Sequence, residues 1–196
     1  MLGRLREKYE EIMLPLGKAI GRSGLSPNSF SLLSVVVAGL AGWYFYNRNL
    51  PLGVLFVVLS GMLDMIDGAV ARATGKASSF GTVLDHVLDR YAEFLIVCGI
   101  IGGGYVRWFL GVFCLFGMVM ASFTRAKAES VGGLDRCQVG VAERQEKLLI
   151  LIAGAIGSIY YQGALELASV VVGLLSHVTV VQRLDYARKK TRGERA

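Results

Sequence analysis

The sequence predicts an all-α integral membrane protein: six transmembrane helices preceded by an amphipathic helix lying in the membrane interface. Three observations carry this reading. Of 196 residues, 54% are hydrophobic, and the mean hydropathy of +0.52 is too high for an ordinary soluble domain. Six windows, 29–47, 51–71, 82–103, 107–124, 146–161 and 164–182, approach the roughly 20 mostly apolar residues that a helix needs to cross a bilayer. The 21 Lys and Arg residues are also distributed unevenly about those windows.

Residues 1–24 come first. Leu2, Leu5, Tyr9, Ile12, Met13, Leu16 and Ile20 recur at helical spacing among charged residues, the pattern of an interfacial amphipathic helix, which an ordinary helix packed on the domain would share. The segment has neither the long apolar core nor the small-residue cleavage site of a secretory signal. Residues 25–196 form one six-helix membrane domain. Its second and third spans are joined by the short polar stretch "TGKASS" and so make an antiparallel hairpin, while "GIIGGGYVRW" is a turn between the third and fourth. Cys98, Cys114 and Cys137 show no metal-ligand spacing and read as structural, without a disulfide framework.

Eighteen of the 21 basic residues lie in the N-terminal segment, the second–third and fourth–fifth connections and the C-terminal end; Arg48 and Arg107 lie on the opposite side, and Arg90 is within the third span. The positive-inside rule then puts both termini in the cytoplasm of a multi-pass cell-membrane protein. The net charge of +6 is a topology signal and does not argue for nucleic acid, because the basic residues flank spans and no soluble domain remains to carry a binding face.

Against this apolar background stand Asp64, Asp67, Asp85 and Asp89. A carboxylate at bilayer depth costs several kcal/mol unless something neutralises it. Spacings of three and four put each pair on one helix face, and the hairpin brings the two faces together at its cytoplasmic end. Four converging carboxylates require a cation, and oxygen-only ligands select a hard one: Mg²⁺, Mn²⁺ or Ca²⁺. Gly68, Ala69, Ala71 and Gly81 leave room for close backbone or ligand approach. With Arg72 beside the acids, the chemistry suggests a diphosphate substrate and phosphoryl-type transfer.

The spacing Asp64-x2-Asp67-Gly68-x2-Ala71-Arg72-x8-Gly81-x3-Asp85-x3-Asp89 resembles the complete signature of the CDP-alcohol phosphotransferases. The resemblance implies a membrane enzyme that displaces CMP from a CDP-linked donor. It implies that Asp64, Asp67 and Asp85 hold two ions, Mg²⁺ or Mn²⁺, on the donor diphosphate. Asp89 would share the second ion and act as the catalytic base on the acceptor hydroxyl. Gly68, Arg72 and Ser78 would contact the CDP moiety, joined by Asn28 and Ser31 of "SPNSFS"; there Ser31 replaces the commoner Thr and keeps the hydroxyl. A homodimer is likewise implied by the resemblance alone.

The acceptor is read from the second half. Arg125 and Lys127 in "ASFTRAKAES", Arg144 in "VAERQEKLLI" and Arg183 in "VTVVQRLDYARKK" come from three helices on the same side as the Asp cluster. Such a set suits a phosphate monoester, although the positive-inside rule explains any one of them. These segments resemble the inositol-phosphate-using branch of the family, in which cations at these positions hold the acceptor's phosphate; Lys147 departs from the Arg more usual there. The implied reaction joins the lipid phosphate of CDP-archaeol or CDP-diacylglycerol to L-myo-inositol-1-phosphate. "LDHVLDRYAEF" looks closer to members using CDP-archaeol.

Other readings compete. A glycerol-3-phosphate acceptor, giving a phosphatidylglycerophosphate synthase, would use the same cations. A divalent-cation transporter would spread its acids through the membrane depth and show an internal repeat, and neither is visible. A prenyl-diphosphate transferase needs more spans than 196 residues allow. His86 reads as a packing or supporting residue, His177 as mid-span with no companion, and Glu93 as either a support for the acids or a half-buried structural group.

Overall fold

In the computed structural model, residues 15, 17, 19–20, 26–75 and 77–193 are described, with nothing said of the side chain at 192. Most of the expected N-terminal interfacial helix lies outside them. Pro15, Gly17, Ala19 and Ile20 are helical, and Gly17 is buried against the backbone of Ala69. The described residues contain six long helices and no strand: α1 (Pro27–Tyr46), α2 (Leu50–Thr74), α3 (Ser79–Gly102), α4 (Trp108–Ser130), α5 (Arg144–Gly157) and α6 (Ala164–Gly193).

Four of these, α1, α2, α4 and α6, are long and apolar enough to cross a membrane. The other two fall short for different reasons. The 24 residues of α3 are long enough but include Asp85, Asp89, Arg90 and Glu93. The 14 residues of α5 span roughly 21 Å at 1.5 Å per residue, less than the roughly 30 Å hydrocarbon layer.

The chain forms two compact units, residues 1–96 and 97–196. In the first, α1 opens with Pro27 in its first turn, where a missing N–H does no harm. Asn49 caps α2 by accepting the Leu52 N–H at 3.2 Å. Helix α1 lays a stripe of small residues, Ser31, Ser34, Ala38, Ala41 and Gly42, into the interior and packs along α2. Gly42 is required: a Cβ there would collide with the carbonyl of Leu95 on α3. Gly53 likewise makes room for the Phe45 ring. Helix α2 ends at Gly75, whose φ of 67° suits glycine, and whose N–H closes on the Ala71 carbonyl. The turn to α3 is completed by Ser78, whose hydroxyl accepts the Gly81 N–H at 3.0 Å.

In the second unit, α6 packs against α4 and α5. The Glu166 carboxylate at the start of α6 accepts from both the backbone N–H and the guanidinium of Arg107, the residue that precedes α4. Gly154 faces Ala164 and Ala168, and Gly173 faces Phe113. Helix α5 opens with a reciprocal capping box between Glu143 and Glu146. His177 does have companions: its ring stacks on Phe113 at 4.5 Å and lies 6.3 Å from Phe116.

Candidate active site

Helical spacing puts Asp64 and Asp67 on one face of α2, and the short turn at Gly75 returns the chain so that Asp85, in the second turn of α3, meets them. One carboxylate oxygen from each of the three lies within 4.8 Å of the others. Oxygens on opposite sides of a divalent ion stand roughly 4–5 Å apart, so the three fit a hard cation in size and in donor chemistry. Asp67 is buried, and Asp64 and Asp85 are half-buried. The Ser31 hydroxyl on α1 donates to Oδ2 of Asp67 at 2.6 Å.

Asp89 lies one turn further along α3 and is not in this trio of converging oxygens. Its Oδ2 stands 3.8 Å from the Arg90 guanidinium, which also pairs with Glu93 at 2.8 Å. Glu93 is therefore an ion-paired group, 1% exposed, and His86 faces outward.

The expected donor residues all fall in the same unit as the three acids. Arg72 folds back over Gly68, so that a Cβ on Gly68 would stand 3.2 Å from Nη1 of Arg72. Asn28 and Ser78 meet at Gly81, with Oδ1 of one and Oγ of the other within 3.3 Å of where a Cβ would sit. A side chain at either glycine would crowd polar groups suited to a nucleotide diphosphate.

The cations expected to bind the acceptor are held differently. Arg125 donates through Nε to Glu129 at 3.0 Å, and the same Glu129 oxygen accepts the Cys137 N–H at 2.9 Å. Arg183 is buried and donates through Nε to the Val139 carbonyl at 2.8 Å and through Nη1 to that of Ala121. Arg125 and Arg183 thus both secure the loop 131–143. Within it Leu134 and Cys137 are buried with Ala128 and packed on by Tyr186 and Ala187, and burial pushes the Cys137 thiol up from its ordinary value. Lys127 is exposed, with its ammonium 5.6 Å from the centre of the Phe123 ring. Arg144 opens α5 and is half-buried; Lys147, one turn on, is buried.

Sequence reasoning passed over Ser34, Ser60 and Glu129. Position alone flags them: Ser60 is seven residues before Asp67, Ser34 three after Ser31, and Glu129 four after Arg125, each on the face of a residue already singled out.

Comparison with known proteins agrees with this geometry. Residues 25–181 match the model of the CDP-alcohol phosphatidyltransferase family. The chain is 35% identical to the archaetidylinositol phosphate synthase of Pyrococcus horikoshii over 190 residues, covering 97% of this chain and 98% of that one. It is 35% identical to the phosphatidylinositol phosphate synthase of Mycobacteroides abscessus, covering 93% and 86%. The crystal structure of Mycobacterium tuberculosis phosphatidylinositol phosphate synthase with CDP-DAG bound superposes with a TM-score of 0.81 at 29% identity, over 90% of this chain and 94% of that one. The same enzyme has been solved with manganese and citrate, with a TM-score of 0.81 at 28% identity, over 89% and 88%. A helical membrane transferase built around an acidic cluster is the class that fold and site define. The chain belongs to the CDP-alcohol phosphatidyltransferase family.

Proposed function

We propose that this protein transfers a phosphatidyl-type group from a CDP-lipid, CDP-archaeol or CDP-diacylglycerol, to L-myo-inositol-1-phosphate and releases CMP. The observation that carries this reading is the meeting of Asp64, Asp67 and Asp85 in a family whose relatives are named for inositol phosphate products. Asp64, Asp67 and Asp85, with Asp89, hold the divalent metal, two ions of Mg²⁺ or Mn²⁺ in each site. When bound, the metal neutralises the donor diphosphate and the charge that builds on the departing CMP.

The rest is work for this chain's own side chains. Asn28, Ser31, Gly68, Arg72 and Ser78 bind and orient the CDP moiety. Asp89 takes the proton of the acceptor hydroxyl. The acceptor oxygen attacks the phosphorus bearing the lipid, and the bond from that phosphorus to the bridging oxygen breaks. CMP leaves and the lipid phosphate is joined to inositol-1-phosphate. Arg125, Lys127, Arg144 and Arg183 grip the acceptor's phosphate. Arg183 spends two of its five N–H groups on backbone carbonyls, which fixes the plane of the guanidinium before a ligand arrives.

The same reading has α3 and α5 completing six membrane spans, the N-terminal segment lying in the interface, both termini and the site on the cytoplasmic side, and the enzyme working as a homodimer. The charge distribution supports the orientation.

The test is CMP release by detergent-purified protein supplied with a CDP-lipid, Mg²⁺ or Mn²⁺, and one acceptor at a time: inositol-1-phosphate, glycerol-3-phosphate, free inositol or serine. Release with inositol-1-phosphate alone is the expected result. Release with glycerol-3-phosphate instead overturns the acceptor and keeps the chemistry. Release with none overturns the transferase reading.

A further inference from the structure

Buried hydroxyls on membrane helices ordinarily satisfy themselves within their own helix, bonding back to the carbonyl one turn earlier. Thr124, Ser158, Ser169 and Thr179 do so, as does half-buried Thr74, each to the residue four before it, while the buried Ser176 hydroxyl makes no hydrogen bond among the described residues. Ser31 and Ser60 depart from this. The Ser60 hydroxyl on α2 crosses to the Ser34 carbonyl on α1 at 2.8 Å, and the Ser31 hydroxyl on α1 crosses to the Asp67 carboxylate on α2 at 2.6 Å. Ser34 joins the two crossings, since its own hydroxyl donates to the Ser31 carbonyl at 2.7 Å. All three serines are 5% exposed.

We propose that Ser60, Ser34 and Ser31 form a hydroxyl track that aims the Asp67 carboxylate, and that they are positioning residues for the metal site. This rests on the reading of Asp67 as a metal ligand. Ser60 and Asp67 are seven residues apart on one face of α2, so the two crossings pin that helix to α1 at two heights. A helix held at one point still rotates about it; held at two, it presents Asp67 in one direction. The Ser31 bond then fixes the carboxylate's own torsion, and the Ser34 bond holds the Ser31 backbone. At 5% exposure these hydroxyls have little access to water as a substitute partner, which makes the geometry costly to leave. Groups that orient a metal ligand in this way commonly change metal affinity about 10–100-fold when removed.

The test is Mn²⁺ binding, read from loss of the free-ion electron paramagnetic resonance spectrum, on the full detergent-purified chain without nucleotide or lipid. Wild type is compared with Asp67→Asn, Ser31→Ala, Ser31→Thr and Ser60→Ala, and thermal unfolding in metal-free buffer checks that each variant folds. The expected result is a dissociation constant about 10-fold or more higher for Ser31→Ala, restored by Ser31→Thr, with a smaller rise for Ser60→Ala. Wild-type binding in both alanine variants overturns the track, as does a Ser31→Thr variant that folds but binds no better than Ser31→Ala. Wild-type binding in Asp67→Asn is a different failure: it removes the metal reading of Asp67 itself, and the track's purpose with it.

Discussion

In residues 27–96 the notable buried polar groups run from helix to helix and end on a carboxylate; in residues 97–193 they run from helix to loop and end on backbone. Ser60, Ser34 and Ser31 lead to Asp67. Arg183 and Glu129 lead to the carbonyl of Val139 and the N–H of Cys137. On the proposed function, the first arrangement orients carboxylate oxygens for a cation. The second spends charge on shaping an irregular segment, which has few backbone partners of its own and must borrow them. A carboxylate cluster is thus built from two regular helices, whereas two of the proposed anion-gripping cations, on helices α4 and α6, also hold down the loop between α4 and α5, Arg183 directly and Arg125 through Glu129.

Substitutions at three positions test this contrast. The largest effect is expected from Asp67→Asn. It keeps the side chain's shape and removes a charge from the trio, so CMP release should fall about 10³-fold, equivalent to roughly 4 kcal/mol of lost electrostatic stabilisation. Its unfolding temperature should change little, because a buried ionised group is exchanged for a neutral one. A variant that kept a tenth of wild-type activity would dissolve the distinction between the two regions.

Next comes Arg183→Ala, which strips a cation from two backbone carbonyls. Hydrogen bonds to charged groups are worth about 1.5–3 kcal/mol each, so a destabilisation of about 3 kcal/mol is expected in thermal unfolding. Arg183→Lys should recover less than half of it, since an ammonium does not reproduce the guanidinium fork. Full stability together with a raised acceptor KM would assign Arg183 to substrate alone and remove its role in the loop.

The smallest effect belongs to Glu129→Gln. It weakens the joint between Arg125 and the Cys137 N–H, and local opening of loop 131–143 should become more frequent. Cys137 is fully buried, and burial holds its thiol above the ordinary range, so little thiolate is present near neutral pH. N-ethylmaleimide labelling of Cys137 at pH 8, followed by peptide mass spectrometry, should be about 5-fold faster in the variant, as expected if opening costs about 1 kcal/mol less. An unchanged rate would show that Leu134 and its apolar contacts hold the loop without the carboxylate.

The legibility of the sequence follows the same division. Spacings of three, four and seven translate directly into a helix face, so Asp64, Asp67 and Asp85 were readable as a group, and a short turn after Gly75 was enough to bring the third to the first two. Asp89 obeys the same spacing from Asp85, but the Arg90 guanidinium 3.8 Å from it is a neighbour that periodicity does not reveal. Ser31 was singled out only as an expected nucleotide contact; its bond to Asp67 depends on how α1 lies along α2, which pattern does not encode. In the second half the four cations were visible as residue types. Whether a guanidinium faces a ligand or a carbonyl depends on the path of residues 131–143, and irregular backbone carries no period from which to read it. The span count was legible for α1, α2, α4 and α6. The charges of α3 and the 14-residue length of α5 weaken the two signals that hydropathy depends on.

In the proposed function, Asp64, Asp67 and Asp85 form the metal centre of a transferase. The most direct test is anomalous diffraction at the manganese edge from crystals of the protein grown with MnCl₂. A strong peak is expected within coordination distance of carboxylate oxygens from all three residues. Manganese bound elsewhere while the three carboxylates stay without metal would contradict it.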